Sequence, residues 1–227
     1  YKGTNASDGI GIGTAVIVEE AELIITRREV NDTEAEVQRF KGALETTIAE
    51  TQKMAEDLAA RVGEKEAEIM QGHMMLLSDP MLTGEIENSI QNDKVNSEFA
   101  IENVCNMYAD MFASMGDELM QQRATDMRDI KVRMQRTLMG LQSVDVSALP
   151  AGTILVAKDL TPSMTAGINP ANVTGIVTEL GGRTSHSAIL ARALEIPAVV
   201  AVNGLLDKVK DGDTVVLDGS AGEVYVN

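Results

Sequence analysis

Cysteine is almost absent from this sequence: Cys105 is the only one among the 227 residues. A single thiol cannot form a disulfide within the chain, so the composition fits a reducing compartment. Cys105 lies in an apolar helical pattern with no histidine near it in sequence, so we interpret it as a core residue, with a reactive thiol as the alternative. The chain also lacks a segment typical of a signal peptide or a membrane span. These absences predict a cytoplasmic protein.

Basic residues are scarce as well. Lys and Arg number 19 against 35 for Asp and Glu, which gives a formal net charge of −16. Nucleic acid requires a basic binding surface, so this charge argues against a nucleic-acid partner. It suits a neutral or basic protein partner, although acidity also serves solubility alone. The charge therefore excludes one class of ligand without identifying another.

Only two histidines are present, His73 and His186. With a single cysteine they provide no cluster at the spacing of a zinc site, so we expect no metal in this chain. A G-x-x-x-x-G-K-[ST] loop is also missing, which argues against nucleotide binding in that mode. The glycines near the N-terminus precede a strand and do not join a strand to a helix, so they do not form a dinucleotide-binding turn.

The hydrophobic pattern changes period twice along the chain. Short apolar runs at Thr14–Val18 and Leu23–Ile25 predict strands. From about residue 32 to residue 141, apolar residues recur every three or four positions, which predicts consecutive helices. The remaining residues, 142–227, return to strands that alternate with short helices. Since the N-terminal strands have no sheet of their own, we expect them to join the C-terminal strands.

The predicted organisation is a discontinuous α/β domain with a helical insertion. The α/β domain comprises residues 1–30 and 142–227, and the inserted all-helical domain comprises residues 31–141. A capping box, Thr33 with Glu36 three residues later, predicts the start of the first helix. No internal repeat or low-complexity segment interrupts this arrangement.

The stretch from Thr178 to Val200 joins a predicted strand to a predicted helix. It reads TELGGRTSHSAILARALEIPAVV. Gly181 and Gly182 permit a tight turn and a close approach of a ligand to the backbone. His186 falls at the start of the helix, where backbone N–H groups lack partners and the helix dipole favours anions, phosphate above all.

An imidazole in that position suggests a histidine that carries a phosphoryl group. A neutral imidazole nitrogen attacks phosphorus to form a phosphoramidate, and the reaction requires mainly positioning and charge stabilisation. The guanidinium of Arg183 is suited to phosphate oxygens. Thr184, Ser185 and backbone N–H groups around Gly182 are possible hydrogen-bond donors. The alternative is that His186 only caps the helix or is a half-buried polar residue.

Two features of the helical region suggest a surface for a protein partner. Of the 13 methionines, 12 lie between Met54 and Met139. Methionine suits adaptable binding surfaces, although ordinary core packing accounts for most of them, and those between Gly63 and Met81 are the docking candidates. His73 has neither a glycine turn nor a basic neighbour, so we expect a surface or interface histidine in preference to a second phosphorylation site.

Five segments resemble Enzyme I of the bacterial sugar phosphotransferase system. They read GTNASDGIGIGTA, QGHMMLLSDPML, RATDMRDIKVRMQRTLMG, ILVAKDLTPSMTA and GGRTSHSAILARALEIPAVV. They occur in the same order as in that family and span nearly the whole chain, with one departure at Asp8, where the family often has proline. The last segment also resembles the phosphohistidine motif of pyruvate phosphate dikinase and phosphoenolpyruvate synthase, so the other segments decide between the families.

The resemblance implies roles for particular residues. His186 matches the phosphorylated histidine, normally modified at Nε2, and Thr165 matches a threonine whose hydroxyl contacts it. The helical insertion matches the domain that docks the phosphocarrier protein HPr. The residues implied in HPr binding are Glu68, Gln71, His73, Met75 and Arg123.

The resemblance also implies the fold, the activity and the partners. The fold is α+β, a phosphohistidine domain of the swivelling β/β/α type with an inserted domain of two helical hairpins. The activity is that of a phosphoenolpyruvate-protein phosphotransferase, in which His186 passes phosphate from phosphoenolpyruvate to HPr at the first step of sugar uptake. A TIM-type barrel outside this chain would bind phosphoenolpyruvate and Mg²⁺ and form the homodimer. We therefore expect a monomeric fragment with no cofactor of its own.

Two other functions stay open at this point. A phosphohistidine domain from a dikinase-type enzyme would work with an ATP-binding domain and would not need an HPr-binding arm. A non-enzymatic adaptor would bind a partner through its helices, and His186 would be structural. Binding of HPr and formation of phosphohistidine discriminate between these alternatives.

Overall fold

In the computed structural model, which describes all residues 1–227, the N-terminal and C-terminal strands form one seven-stranded sheet. The prediction that the N-terminal strands join the C-terminal ones is confirmed. The strands are β1 (Thr4–Ser7), β2 (Ile10–Ile17), β3 (Thr153–Ala157), β4 (Val173–Thr178), β5 (Ala198–Val200), β6 (Thr214–Asp218) and β7 (Glu223–Val226).

The sheet is parallel in its centre and antiparallel at both edges. The strand order is β1-β5-β4-β3-β2-β6-β7. Strands β2 to β5 pair in parallel, whereas β1 pairs antiparallel with β5, and β6 pairs antiparallel with both β2 and β7. The carboxyl ends of β3, β4 and β5 therefore lie side by side, and the segments that follow them meet at one edge of the sheet. Such an edge is the usual place for a ligand in an open α/β sheet.

The central strands are buried on both faces. Every residue of β3 is buried, and its side chains alternate between two apolar clusters. Leu155 and Ala157 belong to a cluster that also includes residues of two short helices. These helices are α6 (Pro162–Ala166) and α7 (His186–Ala193), the last two α-helices in the chain. Ile154 and Val156 belong to the cluster on the other face. Burial on both faces explains why β3 reads as a continuous apolar run and not as an alternating one.

Five helices form the inserted region between β2 and β3. They are α1 (Thr33–Arg61), α2 (Glu64–Leu77), α3 (Pro80–Asp93), α4 (Ser97–Ser114) and α5 (Glu118–Met139). The largest contacts are α1 with α2 and α4 with α5, so the region is built from two helical hairpins. Its core includes Phe40, Ile86, Ile101 and Ile130, which are completely buried. No helix is both long and apolar enough to cross a bilayer.

The chain divides into two compact units, each with its own core. The sheet unit comprises Tyr1–Glu20 and Val144–Asn227, and the helical unit comprises Ala21–Ser143. The chain leaves and re-enters the sheet unit at neighbouring points, because the Val144 N–H donates a 3.2 Å hydrogen bond to the Glu20 carboxylate. The insertion inferred from the change of hydrophobic period is therefore present.

The first boundary differs from the predicted one, since residues 21–30 lie in the helical unit. Asn96 holds this segment: its Oδ1 accepts from the Arg28 N–H at 2.8 Å, and its Nδ2 donates to the Thr26 carbonyl at 3.1 Å. The predicted strand at Leu23–Ile25 is wrong, because these residues join no ladder. The second boundary lies after Ser143 and not after residue 141.

The start of α1 also differs in detail from the prediction. Asp32 is the cap residue, and its Oδ1 accepts from the Ala35 N–H at 3.0 Å. With the cap one residue earlier, Glu36 does not complete a capping box with Thr33. Its Oε1 instead accepts from Arg39 at 2.7 Å and from the Ser97 hydroxyl at 3.0 Å, so it connects α1 to α4.

Candidate functional site

The turn between β4 and α7 carries the sequence Gly181-Gly182-Arg183-Thr184-Ser185. Gly181 has a φ of +102°, a conformation that side chains other than glycine rarely adopt. Ser185 caps α7: its Oγ accepts from the Ala188 N–H at 3.3 Å and donates to the Gly182 carbonyl at 2.8 Å. The two glycines and the cap together fix where the helix begins.

His186 is the first residue of α7 and is 9% exposed. Its position at the carboxyl edge of the parallel strands follows from β4, which ends eight residues earlier at Thr178. The first backbone N–H groups of a helix have no acceptor within the helix, and the dipole there attracts negative charge. A phosphoryl group on this imidazole would therefore lie where the backbone itself favours an anion.

Thr165 lies on α6, the helix that follows β3 and packs against α7. It is 1% exposed, and its hydroxyl donates to the Thr161 carbonyl at 2.8 Å. Because that bond uses the hydroxyl hydrogen, the Thr165 oxygen keeps its lone pairs for a donor such as an imidazole N–H. The structure thus places the residue on the helix beside the one that carries His186.

The remaining residues predicted to support phosphate divide into two pairs. Arg183 and Thr184 are exposed at the turn, so their side chains are accessible to a ligand. Ser185 is half-buried and its hydroxyl already serves the cap, as described above. Gly182 is half-buried, and a side-chain carbon added to it would meet no atom within 4 Å, which leaves open space beside its backbone.

The predicted docking residues lie on α2 and α5 of the helical unit, two helices in mutual contact. Glu68, Gln71 and Met75 are exposed and follow one another at spacings of three and four residues, so they share one face of α2. Arg123 on α5 is half-buried. These four side chains are therefore accessible in part or in full.

The prediction of a surface or interface position for His73 is wrong, because the residue is completely buried. Its Nε2 lies 2.9 Å from Oδ1 of Asp126 on α5. The carboxylate of Asp126 satisfies this buried nitrogen, whereas Nδ1 of the same ring has no hydrogen-bond partner. The side chain of His73 therefore connects two helices and presents no surface to a docking protein.

Exposed apolar side chains extend the accessible surface of the helical unit. Met107 and Met111 on α4, and Met115 immediately after it, recur every four residues and are each about half exposed (54%, 45% and 54%). Met75 and Met81, at the end of α2 and the start of α3, are 66% and 68% exposed. Methionine clusters of this kind suit a protein partner, and only some of them lie in the Gly63–Met81 region selected from the sequence.

Two residues that make structural contacts at these sites, Asp126 and Arg192, were not predicted from the sequence. Asp126 lies in a charged helical stretch that reads as a solvated face, and its burial follows only from the contact with His73. Arg192 lies inside the motif around His186, but its partners are backbone carbonyls, which no residue pattern reveals. No group of three or more His, Cys, Asp and Glu side chains is arranged to hold a metal ion.

Two family models match this chain. The model described as "PEP-utilising enzyme, N-terminal" matches residues 2–123, and the model described as "PEP-utilising enzyme, mobile domain" matches residues 149–222. The chain belongs to the PEP-utilising enzyme family. The N-terminal model includes most of the helical unit, and the mobile-domain model includes the turn and His186.

Curated relatives within the PEP-utilising family are longer than this chain. The phosphoenolpyruvate-protein phosphotransferase of Listeria monocytogenes is 43% identical over 226 residues, and that of Bacillus subtilis is 41% identical over 226 residues. Each match covers 100% of this chain and 40% of the relative. The chain therefore spans about 40% of the length of the relatives it matches.

Solved structures of the family share the fold. A solution structure of Enzyme I (nEIt) matches with a TM-score of 0.85 and 40% identity, covering 100% of this chain and 92% of that one. The N-terminal domain of Enzyme 1 - Nitrogen matches with a TM-score of 0.65 and 27% identity, covering 99% of this chain and 92% of that one. The predicted α+β fold with its helical insertion, and the resemblance to the N-terminal part of Enzyme I, are confirmed.

Proposed function

We propose that this chain is a phosphoryl carrier in which His186 receives phosphate that originates from phosphoenolpyruvate and exchanges it reversibly with the histidine of HPr. The observation that carries the proposal is the position of His186 as the first residue of α7, behind a glycine turn and a serine cap. Its relatives are named for phosphoryl transfer from phosphoenolpyruvate to protein. We place the binding of phosphoenolpyruvate and Mg²⁺ in the part of those relatives that this chain does not cover.

The transfer requires one nitrogen–phosphorus bond to break as another forms. In the direction toward this chain, the lone pair of the His186 Nε2 attacks phosphorus, and the ring nitrogen of phosphorylated HPr leaves with its electron pair. That nitrogen takes up a proton, while the other ring nitrogen of His186 releases one. In the loose transition state the negative charge is spread over the three phosphoryl oxygens, so the site contributes mainly positioning and anion stabilisation.

Three groups support the phosphoryl group in this proposal. The N–H groups at the start of α7 and in the Gly182–Ser185 turn provide neutral donors. The guanidinium of Arg183 provides the positive charge, and its exposure allows it to move onto the ligand. The Thr165 oxygen accepts from the second ring nitrogen of His186 and thereby directs the reactive nitrogen outward, which is the ordinary way in which a histidine tautomer is selected.

HPr docks, in this proposal, on the helical unit through α2 and the neighbouring helices. Met75 offers an exposed apolar contact, Glu68 and Gln71 offer polar ones on the same helix face, and Arg123 lies on the adjoining helix. His73 is excluded from direct contact by its burial. The excess of acidic residues, 35 against 19 basic ones, favours a partner with a basic binding surface.

The phosphoryl transfer is tested by mixing the chain with HPr that carries a labelled phosphoryl group on its histidine. We expect label on the chain, stable at alkaline pH and lost in acid, as for a phosphoramidate. His186→Ala should remove all of it, and a decisive answer is possible because the only other histidine is completely buried. Label that persists in His186→Ala would refute the assignment. Absence of label in the wild-type chain, with HPr bound, would favour an adaptor.

Docking is tested separately by titrating unphosphorylated HPr into the chain. Met75→Asp should weaken binding by roughly tenfold or more, since an exposed apolar anchor becomes a charge in the interface. Met139→Asp is the matched control, because Met139 is also exposed. It is the last residue of α5, whereas Arg123 lies near the start of that helix. Equal affinities for the two variants would exclude α2 from the interface, and no binding of HPr to the wild type would favour a dikinase-type domain.

A further inference from the structure

Arg192 connects three parts of the sheet unit through one side chain. It lies in the last turn of α7. Its Nη1 donates to the Ala6 carbonyl of β1 at 2.8 Å, and its Nη2 donates to the Arg183 carbonyl of the turn at 2.9 Å. Helical side chains point toward the N-terminal end of their helix, which brings the guanidinium of Arg192 back to the turn. The two bonds use both terminal nitrogens of the planar guanidinium.

Three carbonyls of the turn accept hydrogen bonds from side chains. The Leu180 carbonyl accepts from the Thr178 hydroxyl at 2.6 Å, and the Gly182 carbonyl accepts from the Ser185 hydroxyl at 2.8 Å. The Arg183 carbonyl accepts from Arg192, as given above. Of these side-chain donors, only Arg192 comes from outside residues 178–185, although the Leu180 carbonyl also accepts from the Ala201 N–H at 3.4 Å.

Fixing a carbonyl also fixes an N–H group. A trans peptide is planar, so its carbonyl and the N–H of the following residue point in opposite directions. The bond from Ser185 to the Gly182 carbonyl therefore sets the direction of the Arg183 N–H. The bond from Arg192 to the Arg183 carbonyl sets the direction of the Thr184 N–H, away from Arg192. Thr184 precedes His186 by two residues, so this N–H belongs to the turn that leads into the helix start.

We infer that Arg192 is a positioning residue for phosphoryl transfer, which holds the Thr184 N–H in the direction of the phosphoryl group on His186. The inference rests on the proposed function of His186. Arg192 touches neither phosphate nor HPr in this arrangement and acts through the Arg183 peptide. A preorganised N–H donor stabilises charge without reorganisation at the moment of reaction, which is why its direction matters for the rate.

The test compares the wild-type chain with Arg192→Met and Arg192→Lys in single-turnover transfer from phosphorylated HPr. Arg192→Met should lower the rate at saturating HPr by roughly ten- to a hundredfold, the scale of a small misplacement in a reactive site. The concentration of HPr that gives half the maximal rate should stay unchanged, because the proposed docking residues lie in the helical unit. Arg192→Lys keeps a cationic donor for one carbonyl and should recover part of the rate.

The amide proton resonance of Thr184 provides a readout that a purely structural role would leave unchanged. In the wild-type chain, phosphorylation of His186 should move it downfield, as for a new bond to phosphate, and in Arg192→Met this movement should shrink. The Ala188 amide, which donates to the Ser185 Oγ, is the internal control and should move little in either protein.

Several outcomes would overturn the inference. One is a Thr184 resonance that does not respond to phosphorylation in the wild type, a result that needs no variant and holds even if Arg192→Met fails to fold. Another is an Arg192→Met variant in which only one of two quantities falls: the rate of phosphoryl transfer, or the shift of the Thr184 amide resonance on phosphorylation. A wild-type chain that accepts no phosphate at all would refute the proposed function itself, so the two failures are distinguishable.

Discussion

Nε2 of His73 and Oδ1 of Asp126 lie 2.9 Å apart inside the helical unit, although 53 residues separate them in sequence. The contact joins α2 to α5. Gln71 and Met75 lie within two residues of His73, and Arg123 lies one helical turn before Asp126. The buried pair therefore sets the relative position of the side chains that we propose as the docking surface.

Asp126→Ala should destabilise the helical unit. Removing the carboxylate leaves the completely buried His73 ring without the partner of its Nε2, and an unsatisfied buried polar group costs about 1–3 kcal/mol. The measurement is the free energy of unfolding from urea denaturation followed by circular dichroism. Arg128→Ala, an exposed change on the same helix, should alter it by less than about 0.5 kcal/mol. Equal stabilities for the two variants would contradict a structural role for the pair.

The two histidines show what a sequence reveals and what it does not. The position of His186 at a helix start follows from its immediate neighbours, since glycines, a cap residue and an apolar helical period all lie within a few positions of it. The burial of His73 depends on Asp126, which belongs to another helix. Local patterns carry no information about a partner that far along the chain, so the same reasoning placed His73 on the surface.

Acid should weaken the contact that Glu36 makes between α1 and α4. Burial raises the pKa of this carboxyl, but hydrogen bonds from Arg39 and Ser97 outweigh burial and hold the pKa below its ordinary value of 4.5. A depressed pKa in the folded state contributes stability above pH 4.5, and that contribution is lost as the pH falls through the lower folded value.

Glu36→Gln should therefore be less stable than the wild type near neutral pH and should lose less stability on acidification below pH 4.5. Urea denaturation at a series of pH values provides the comparison. Glu34→Gln, at an exposed position of the same helical turn, is the control and should follow the wild-type pH profile. Parallel profiles for Glu36→Gln and the wild type would mean that Glu36 is not responsible for the acid sensitivity.

Cys105 should be unreactive in the folded chain. The residue is completely buried, and burial raises the pKa of its thiol to about 12, so very little thiolate exists at mildly alkaline pH. A chromogenic disulfide reagent should leave it unmodified in buffer and should titrate one thiol after unfolding in concentrated urea. Rapid modification of the folded chain would restore the alternative of a reactive cysteine.

Two glycines should respond in opposite directions when replaced by alanine. Gly42 lies within α1, and an added Cβ would meet no atom within 4 Å, so Gly42→Ala should stabilise the helical unit by about 0.5–1 kcal/mol. At Gly219 the Cβ would lie 1.8 Å from the Ser7 carbonyl oxygen. Gly219→Ala should therefore destabilise the sheet unit by at least about 1–3 kcal/mol. Urea denaturation measures both, and a stabilising Gly219→Ala would contradict the close approach of the two segments.

The domain boundary shows a second limit of sequence reasoning. The change from strand to helical period correctly predicts that the helices form an insertion. It wrongly assigns residues 21–30 to the α/β domain, because their attachment to the helical unit depends on hydrogen bonds with residues elsewhere in the chain, such as Asn96, and not on their own pattern. Irregular segments follow the elements that satisfy their backbone groups, and those elements lie elsewhere in the chain.

The hydrogen bond between Val144 and Glu20 also bears on how the sheet assembles. Strands β2 and β3 pair side by side although residues 18–152 separate them. Such a long closure is entropically costly and slows folding when the intervening chain is loose. Once the helices have folded, their two chain ends are adjacent and the closure becomes that of a short loop. We therefore expect the helical unit to fold first. Its folding would bring β2 and β3 together, and these two strands would then pair to form the centre of the sheet.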